Sequence, residues 1–178
     1  MVLVSDSIGK RIWRNQDLQV IARPGAHVST LVKANRSGEL NELKDAWAVV
    51  ILVGTNDLES QGPIELANNI IALGRAIKTK YRHIHVFIST LIPRLDDVTL
   101  EAKIPIVNTH LKLLAKPNNF EILNLFKTYA WSNTSLKQEE HWYSDHLHLS
   151  NWGVAKLQSR LMNIIRHHPL SQASKLAK

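Results

Sequence analysis

Ser7, Asp145 and His148 are the residues whose types and spacing suit nucleophilic catalysis. Ser7 closes the stretch VLVSDS, an apolar strand that ends abruptly in three small polar residues. A serine at a strand-to-helix turn projects its hydroxyl above the sheet. Its own backbone N–H, at the start of a helix read over IGKRIW, points into the same space. Serine is equally a favoured helix N-cap, and capping is the commoner role for such a residue taken alone. Asp145 and His148 stand three apart in SDHLHLSNWG, so one turn can set the carboxylate against one ring nitrogen while the other faces a nucleophile. His146 raises the alternative of a metal site with His141 or Asp145. Zinc needs three or four convergent ligands, however, and the sequence supplies no further clear partner. No metal and no cofactor are expected.

Two further loops can supply hydrogen-bond donors. RPGA, residues 23–26, is a tight turn in which Gly25 lets the backbone approach a ligand. GTND, residues 54–57, follows a strand, and Asn56 can aim its amide into a crevice or serve the turn. Arg23 and Arg94 adjoin these loops and are candidates for binding a carboxylate or phosphate near a substrate, with plain surface charge as the alternative. Trp142 and Tyr143 precede the Asp-His pair as candidates for an acyl-pocket wall, with packing of a long loop as the alternative.

These residues must be positioned by an alternation of strands and helices. VLVS (2–5), LQVIA (18–22), AVVILV (48–53), HVFIST (85–90) and FEIL (120–123) read as strands. The third lacks polar alternation, as expected for a strand covered on both faces. Leu66, Ile70, Leu73 and Ile77 recur at helical spacing, as do Ile104, Val107, Leu111 and Leu114, and again Val154, Leu157, Leu161 and Ile164. The βαβα order predicts a three-layer α/β/α sandwich around a mainly parallel five-stranded sheet, with ligands at the C-terminal strand ends. One domain is expected over residues 1–168, followed by a frayed basic tail over 169–178.

Composition narrows the chemistry. The 178 residues include no cysteine, which excludes disulfides, thiolate zinc sites and a cysteine nucleophile. No apolar run approaches the roughly 20 residues of a membrane span, and the start of the chain does not read as a signal peptide; an intracellular, cytoplasmic protein is expected. A formal charge of +7 favours anionic partners such as RNA or an acidic membrane surface, against the alternative of a merely solvated surface.

Taken together, SDSIG, RPGA, VGTND and DHLH resemble the four signature blocks of the SGNH, or GDSL, hydrolase superfamily, in order and over nearly the whole chain. The resemblance implies a flavodoxin-like fold, a Ser7 nucleophile, an oxyanion hole from Ser7, Gly25 and Asn56, and Asp145 and His148 as orienting acid and general base. One position departs from the pattern: Ser5 stands where the first block usually opens with glycine, adding a side chain expected beside the approach to substrate. SDSIGKRI, LVGTND, ISTLIPR and LHLSNWGVAKL further resemble the esterase-like domains of animal retrotransposons. The expectation is a serine esterase acting on small-molecule or lipid acyl esters. The rival is a slow or inactive module of the same fold that binds RNA or anionic lipid; some relatives that took this course lost the serine and histidine, whereas this chain keeps both.

Overall fold

Apolar runs that cannot remain in water become five parallel strands in the computed structural model, which describes residues 1–130 and 143–176. The strands are β1 (Val2–Ser5), β2 (Gln19–Ala22), β3 (Ala48–Leu52), β4 (His85–Ser89) and β5 (Glu121–Leu123), in the order β2-β1-β3-β4-β5. Every adjacent pair is parallel. All residues of β1 and β3 are buried, which explains their lack of polar alternation. The chain leaves β1 for β2 on one side and later enters β3 on the other. That reversal opens a crevice above the C-terminal ends of β1 and β3.

Successive strand residues face opposite layers. Val2, Val4, Val49, Ile51, Val86 and Ile88 pack beneath α1 (Val28–Ser37), α2 (Pro63–Lys80) and a further helix, Ile104–Ala115. That last helix is α4, since a short α3 (Val98–Glu101) precedes it. Leu3, Val50, Phe87 and Leu123 face the other way, against Ile8, Ile12 and the face of a helix at Asn151–His167 that carries Leu157, Leu161 and Ile165. With the short α5 at Phe126–Tyr129, that long helix is α6. The expected stripe Leu66, Ile70, Leu73 and Ile77 is wholly buried. Each such side chain contributes roughly 1.5–3 kcal/mol of transfer free energy. The three-layer sandwich is therefore the observed fold.

Three stretches differ from expectation. IGKRIW does not form a helix: Ser7–Gly9 is a single 3-10 turn, because Ile8 and Ile12 are both drawn into the core and the chain between them must follow. Residues 28–37, which no stripe had marked, form α1, with Leu31 and Ala34 buried. Pro169–Leu176 is a helix, α7, where a frayed tail was expected. Its Ser171 is buried and donates to the Ile165 carbonyl at 2.6 Å, docking α7 onto the end of α6.

The turn after β1 is tightly built. Ser5 is fully buried, and its Oγ accepts the Gly9 N–H at 3.0 Å. A Cβ on Gly9 would lie 2.7 Å from the Ser5 Cβ and 3.1 Å from Leu3 Cδ2, so only glycine fits opposite this serine. Gly9→Ala is accordingly expected to cost about 1–3 kcal/mol in chemical denaturation, with most of the loss recovered in the Ser5→Gly background. Additive effects of the two substitutions would show that the contact is not what restricts position 9.

Candidate active site

The strand β1 ends in the middle of the sheet, where exposed backbone donors must find partners. Asp6 supplies one: its Oδ1 accepts the Ile8 N–H at 3.0 Å and so caps the Ser7–Gly9 turn. The cap expected of a serine is thus made by the neighbouring aspartate. Ser7, partly exposed, borders a cleft of about 270 Å³ together with Lys10, Arg11, Pro24 and His148.

The second half of the site is a short hairpin. Tyr143 and Leu149 form an antiparallel bridge, and the Ser144 N–H donates to the His148 carbonyl at 2.8 Å. Asp145 sits at the bend, where its Oδ1 accepts the backbone N–H groups of Leu147 at 3.1 Å and His148 at 2.6 Å. Its other oxygen lies 2.7 Å from His148 Nδ1. The His148 backbone bond above all, then the imidazole and the Leu147 N–H, hold this carboxyl below the usual carboxylate range despite slight desolvation. With Nδ1 so engaged, Nε2 is the nitrogen left to the cleft. Arg11 fastens the hairpin to the Ser7 segment by donating to the Leu149 carbonyl at 3.1 Å and to the Asn151 side chain.

Residues 4–156 match the GDSL-like lipase/acylhydrolase family. The chain belongs to that family. Ester hydrolysis is the class of reaction this membership supports. No match is found among curated proteins. Among solved structures, a GDSL-like lipase from Bacteroides thetaiotaomicron superposes with a TM-score of 0.76 at 16% identity, covering 93% of this chain and 86% of that one. A lipase/acylhydrolase from Enterococcus faecalis gives 0.70 at 18%, covering 93% and 94%. The esterase domain of a zebrafish retrotransposon protein gives 0.51 at 19%, covering 93% and 98%. These likenesses bear on the fold.

The other two loops of this GDSL-like chain, RPGA and GTND, follow β2 and β3 and are bonded to each other. The Ala26 N–H donates to the Arg23 carbonyl at 3.0 Å, and Gly25 has φ +74°, as the third position of a type II turn requires. Asn56 begins a 3-10 turn at Asn56–Glu59 and donates one amide hydrogen to the Ala26 carbonyl at 3.0 Å, which ties the two loops together. Asp57 reinforces the tie. Fully buried, it accepts the Val28 N–H at the start of α1, at 3.1 and 3.3 Å, and lies 3.5 Å from His27 Nδ1. Burial pushes its carboxyl up, against the Val28 N–H and His27. With 30 positions between them, no spacing signal marks this Asp57–His27 pair.

The remaining candidates have partners within the protein or lie outside the described residues. Arg23 is paired with Glu39 at 2.8 Å. Arg94 is buried, with its guanidinium bound to both oxygens of Asp96 at 2.6 and 2.8 Å and to the Thr55 carbonyl at 3.2 Å, so it braces the GTND loop. Tyr143 is buried and donates to the Pro93 carbonyl at 2.7 Å, so its placement is that of a packing residue. Trp142 lies outside the described residues. The Ser5 side chain is buried and turned inward to Gly9.

Sequence reasoning missed a second groove of about 640 Å³ beside the cleft. Trp13, Trp152, Val154, Ala155 and Met162 line it, with Arg11 and Arg166 among its polar residues. Trp13 is 79% and Trp152 66% exposed. Val154 and Arg11 border both the groove and the cleft.

Asp6 has a cost. Burial pushes its carboxyl up to about 6, with the Asp57 charge adding to the rise and the Ile8 and Thr55 N–H groups and His148 opposing it. Its Oδ2 is buried without a hydrogen bond of normal geometry. An acid whose pKa is raised on folding binds protons more tightly in the folded state, so its contribution to stability falls as pH rises from about 4 through 6. Asp6→Asn keeps the acceptor for Ile8 and removes the charge. Its stability relative to wild type should therefore improve between pH 4 and pH 8 by on the order of 3 kcal/mol, measured by denaturation at each pH. A pH-independent difference would refute a buried, titrating Asp6.

Proposed function

We propose that the protein is a serine esterase that hydrolyses carboxylic acyl esters presented at an anionic lipid surface. The observation that carries the catalytic part is the pairing of His148 with Asp145 on the wall of the same cleft that Ser7 borders. His148 Nε2 takes the Ser7 proton as Oγ bonds to the ester carbonyl carbon. The oxyanion so formed is met by the backbone N–H groups of Ser7 and Gly25 and by the Asn56 amide hydrogen that Ala26 does not use. Collapse breaks the ester C–O bond, and His148 returns the proton to the departing alcohol. A water molecule, deprotonated by the same nitrogen, then releases the acid and restores Ser7. The sequence blocks shared with retrotransposon esterase-like domains support a retroelement setting for this activity.

The lipid part rests on the groove. Exposed tryptophans beside an apolar trough suit the level of lipid headgroups. Arg11, Arg166, and the exposed Lys10, Arg14, Lys156 and Arg160 of the same two segments, complement an acidic leaflet. The groove adjoins the cleft, so a lipid acyl chain lying in it brings an ester towards Ser7.

Two measurements test this reading. With short-chain p-nitrophenyl esters, Ser7→Ala and His148→Ala are expected to lose activity while remaining folded, and Asn56→Ala to lose on the order of 10²-fold in rate. A folded wild type without activity would defeat the catalytic assignment. In sedimentation with phosphatidylserine vesicles, the wild type should bind and release as salt rises, whereas a Trp13→Ala/Trp152→Ala variant should fail to bind yet retain hydrolysis of the soluble ester. Undiminished vesicle binding by that variant, or binding of single-stranded RNA in place of vesicles, would overturn the assignment of this face to lipid.

A further inference from the structure

At the opposite end of the sheet, three side chains from distant parts of the chain converge. His85 is the first residue of β4 and Glu121 the first of β5, and Glu121 is in register with Phe87. His85 and Phe87 are two apart on one strand and so project from the same face. His168 follows the last residue of α6 and comes down onto that face. Its Nε2 lies 3.0 Å from Glu121 Oε1, and His85 Nε2 lies 2.7 Å from the same oxygen. All three donor atoms fall within 4.8 Å of one another. The imidazole side chains are only 20% and 17% exposed, while Glu121 is half exposed. Solvent therefore reaches the cluster from the carboxylate side.

We infer that His85, Glu121 and His168 form a binding site for a divalent cation of the zinc class. Two imidazoles and a carboxylate are a donor set suited to zinc, nickel or copper, and unlike the all-oxygen set that magnesium or calcium takes. Bonds of about 2.0–2.2 Å to a tetrahedral ion place its donors roughly 3.2–3.5 Å apart. The Glu121 oxygen, 2.7 and 3.0 Å from the two nitrogens, has to draw back by roughly 0.2–0.8 Å, and the exposed Glu121 can swing to allow it. Glu121 Oε1 already lies within hydrogen-bond distance of both ring nitrogens, so all three donors are turned towards one point. Water on the open side completes the coordination.

The surroundings fix both rings. His168 stacks on Trp47 with centroids 5.4 Å apart and an interplanar angle of 23°, and Phe87 meets His168 edge-on at 5.4 Å and His85 at 4.9 Å. Rigid rings lose little freedom when an ion arrives. There is one opposing contact. His168 Nδ1 now accepts the Leu170 N–H at 3.3 Å, and on coordination through Nε2 the ring proton moves to Nδ1, so this long bond is given up. The ion would join the N-terminal ends of β4 and β5 to the junction of α6 and α7. The catalytic loops follow the C-terminal ends of β1, β2 and β3, so the ion takes no part in hydrolysis.

Isothermal titration of the untagged, EDTA-stripped chain with zinc chloride tests the site, with Co²⁺ absorption reporting the ligand geometry. The expected result is one ion per chain. At free zinc about 100-fold above Kd, the melting temperature should rise by roughly 5–10 °C. His168→Ala and Glu121→Gln should each weaken binding at least tenfold. Glu121→Gln, which keeps the side-chain size, decides the matter should His168→Ala fail to fold. His148→Ala should bind as tightly as wild type, since the Asp145–His148 pair is the competing location. Absence of binding by the wild type would overturn the inference, as would zinc binding that survives Glu121→Gln or disappears with His148→Ala.

Discussion

The turn at the end of β1 is the constraint on which the site depends. β1 lies between β2 and β3 and is buried on both faces, so the chain must leave the sheet within a few residues while every buried backbone donor keeps a partner. Ser5 takes the Gly9 N–H and Asp6 takes the Ile8 N–H, each from beneath the turn. Ser7 is thereby relieved of capping. Had the serine made the cap itself, its hydroxyl would have been directed at the backbone rather than at the cleft. The cost is a carboxyl group buried away from water, with a second acid, Asp57, close enough to push it further towards neutrality. Local stability has been given up to present one side chain.

The elements that hold this turn were legible because burial leaves a periodic trace. The unbroken apolar run of β3 announced a central strand, and the stripes of α2 and α4 announced the helices that cover it. The Asp145–His148 pair was legible for a related reason, since three positions is a distance a single bend can close. Ser7, Gly25 and Asn56 became conspicuous only as a set of loops following strands. IGKRIW misled because its two isoleucines sit at helical spacing, yet both are pulled into the sheet-facing core by a chain that is too constrained at Ser5 and Gly9 to coil. α7 was hidden by its composition, since its docking rests on a buried serine and not on an apolar stripe.

Contacts between remote loops left no such trace. Asp57 and His27, Arg94 and Asp96 on the GTND loop, and the convergence of His85, Glu121 and His168 are products of strand order and register. Nothing in the spacing of 36 or 47 residues between a histidine and Glu121 signals that they meet. Trp13 and Trp152 are a similar case. Arg11 draws the segment after Ser7 against the start of α6, and only then do two isolated tryptophans border one groove.

The exposure of the acid–base pair bears on where such a site works best. The Asp145 and His148 side chains are 54% and 45% exposed, and a contact so open to water is worth at most about 1 kcal/mol even when both groups are charged. Coulomb attraction therefore does not hold the imidazole. Asp145 is fixed by the Leu147 and His148 backbone N–H groups, and the hairpin is held by Arg11, so geometry precedes electrostatics. Covering the cleft changes that balance. In the proposed reaction, an ester and the surface carrying it would displace water, and the same 2.7 Å contact would act in a lower dielectric to stabilise the imidazolium formed as Ser7 gives up its proton. An open pair beside an apolar groove is thus weak in free solution and strengthened by the interface at which its proposed substrate resides.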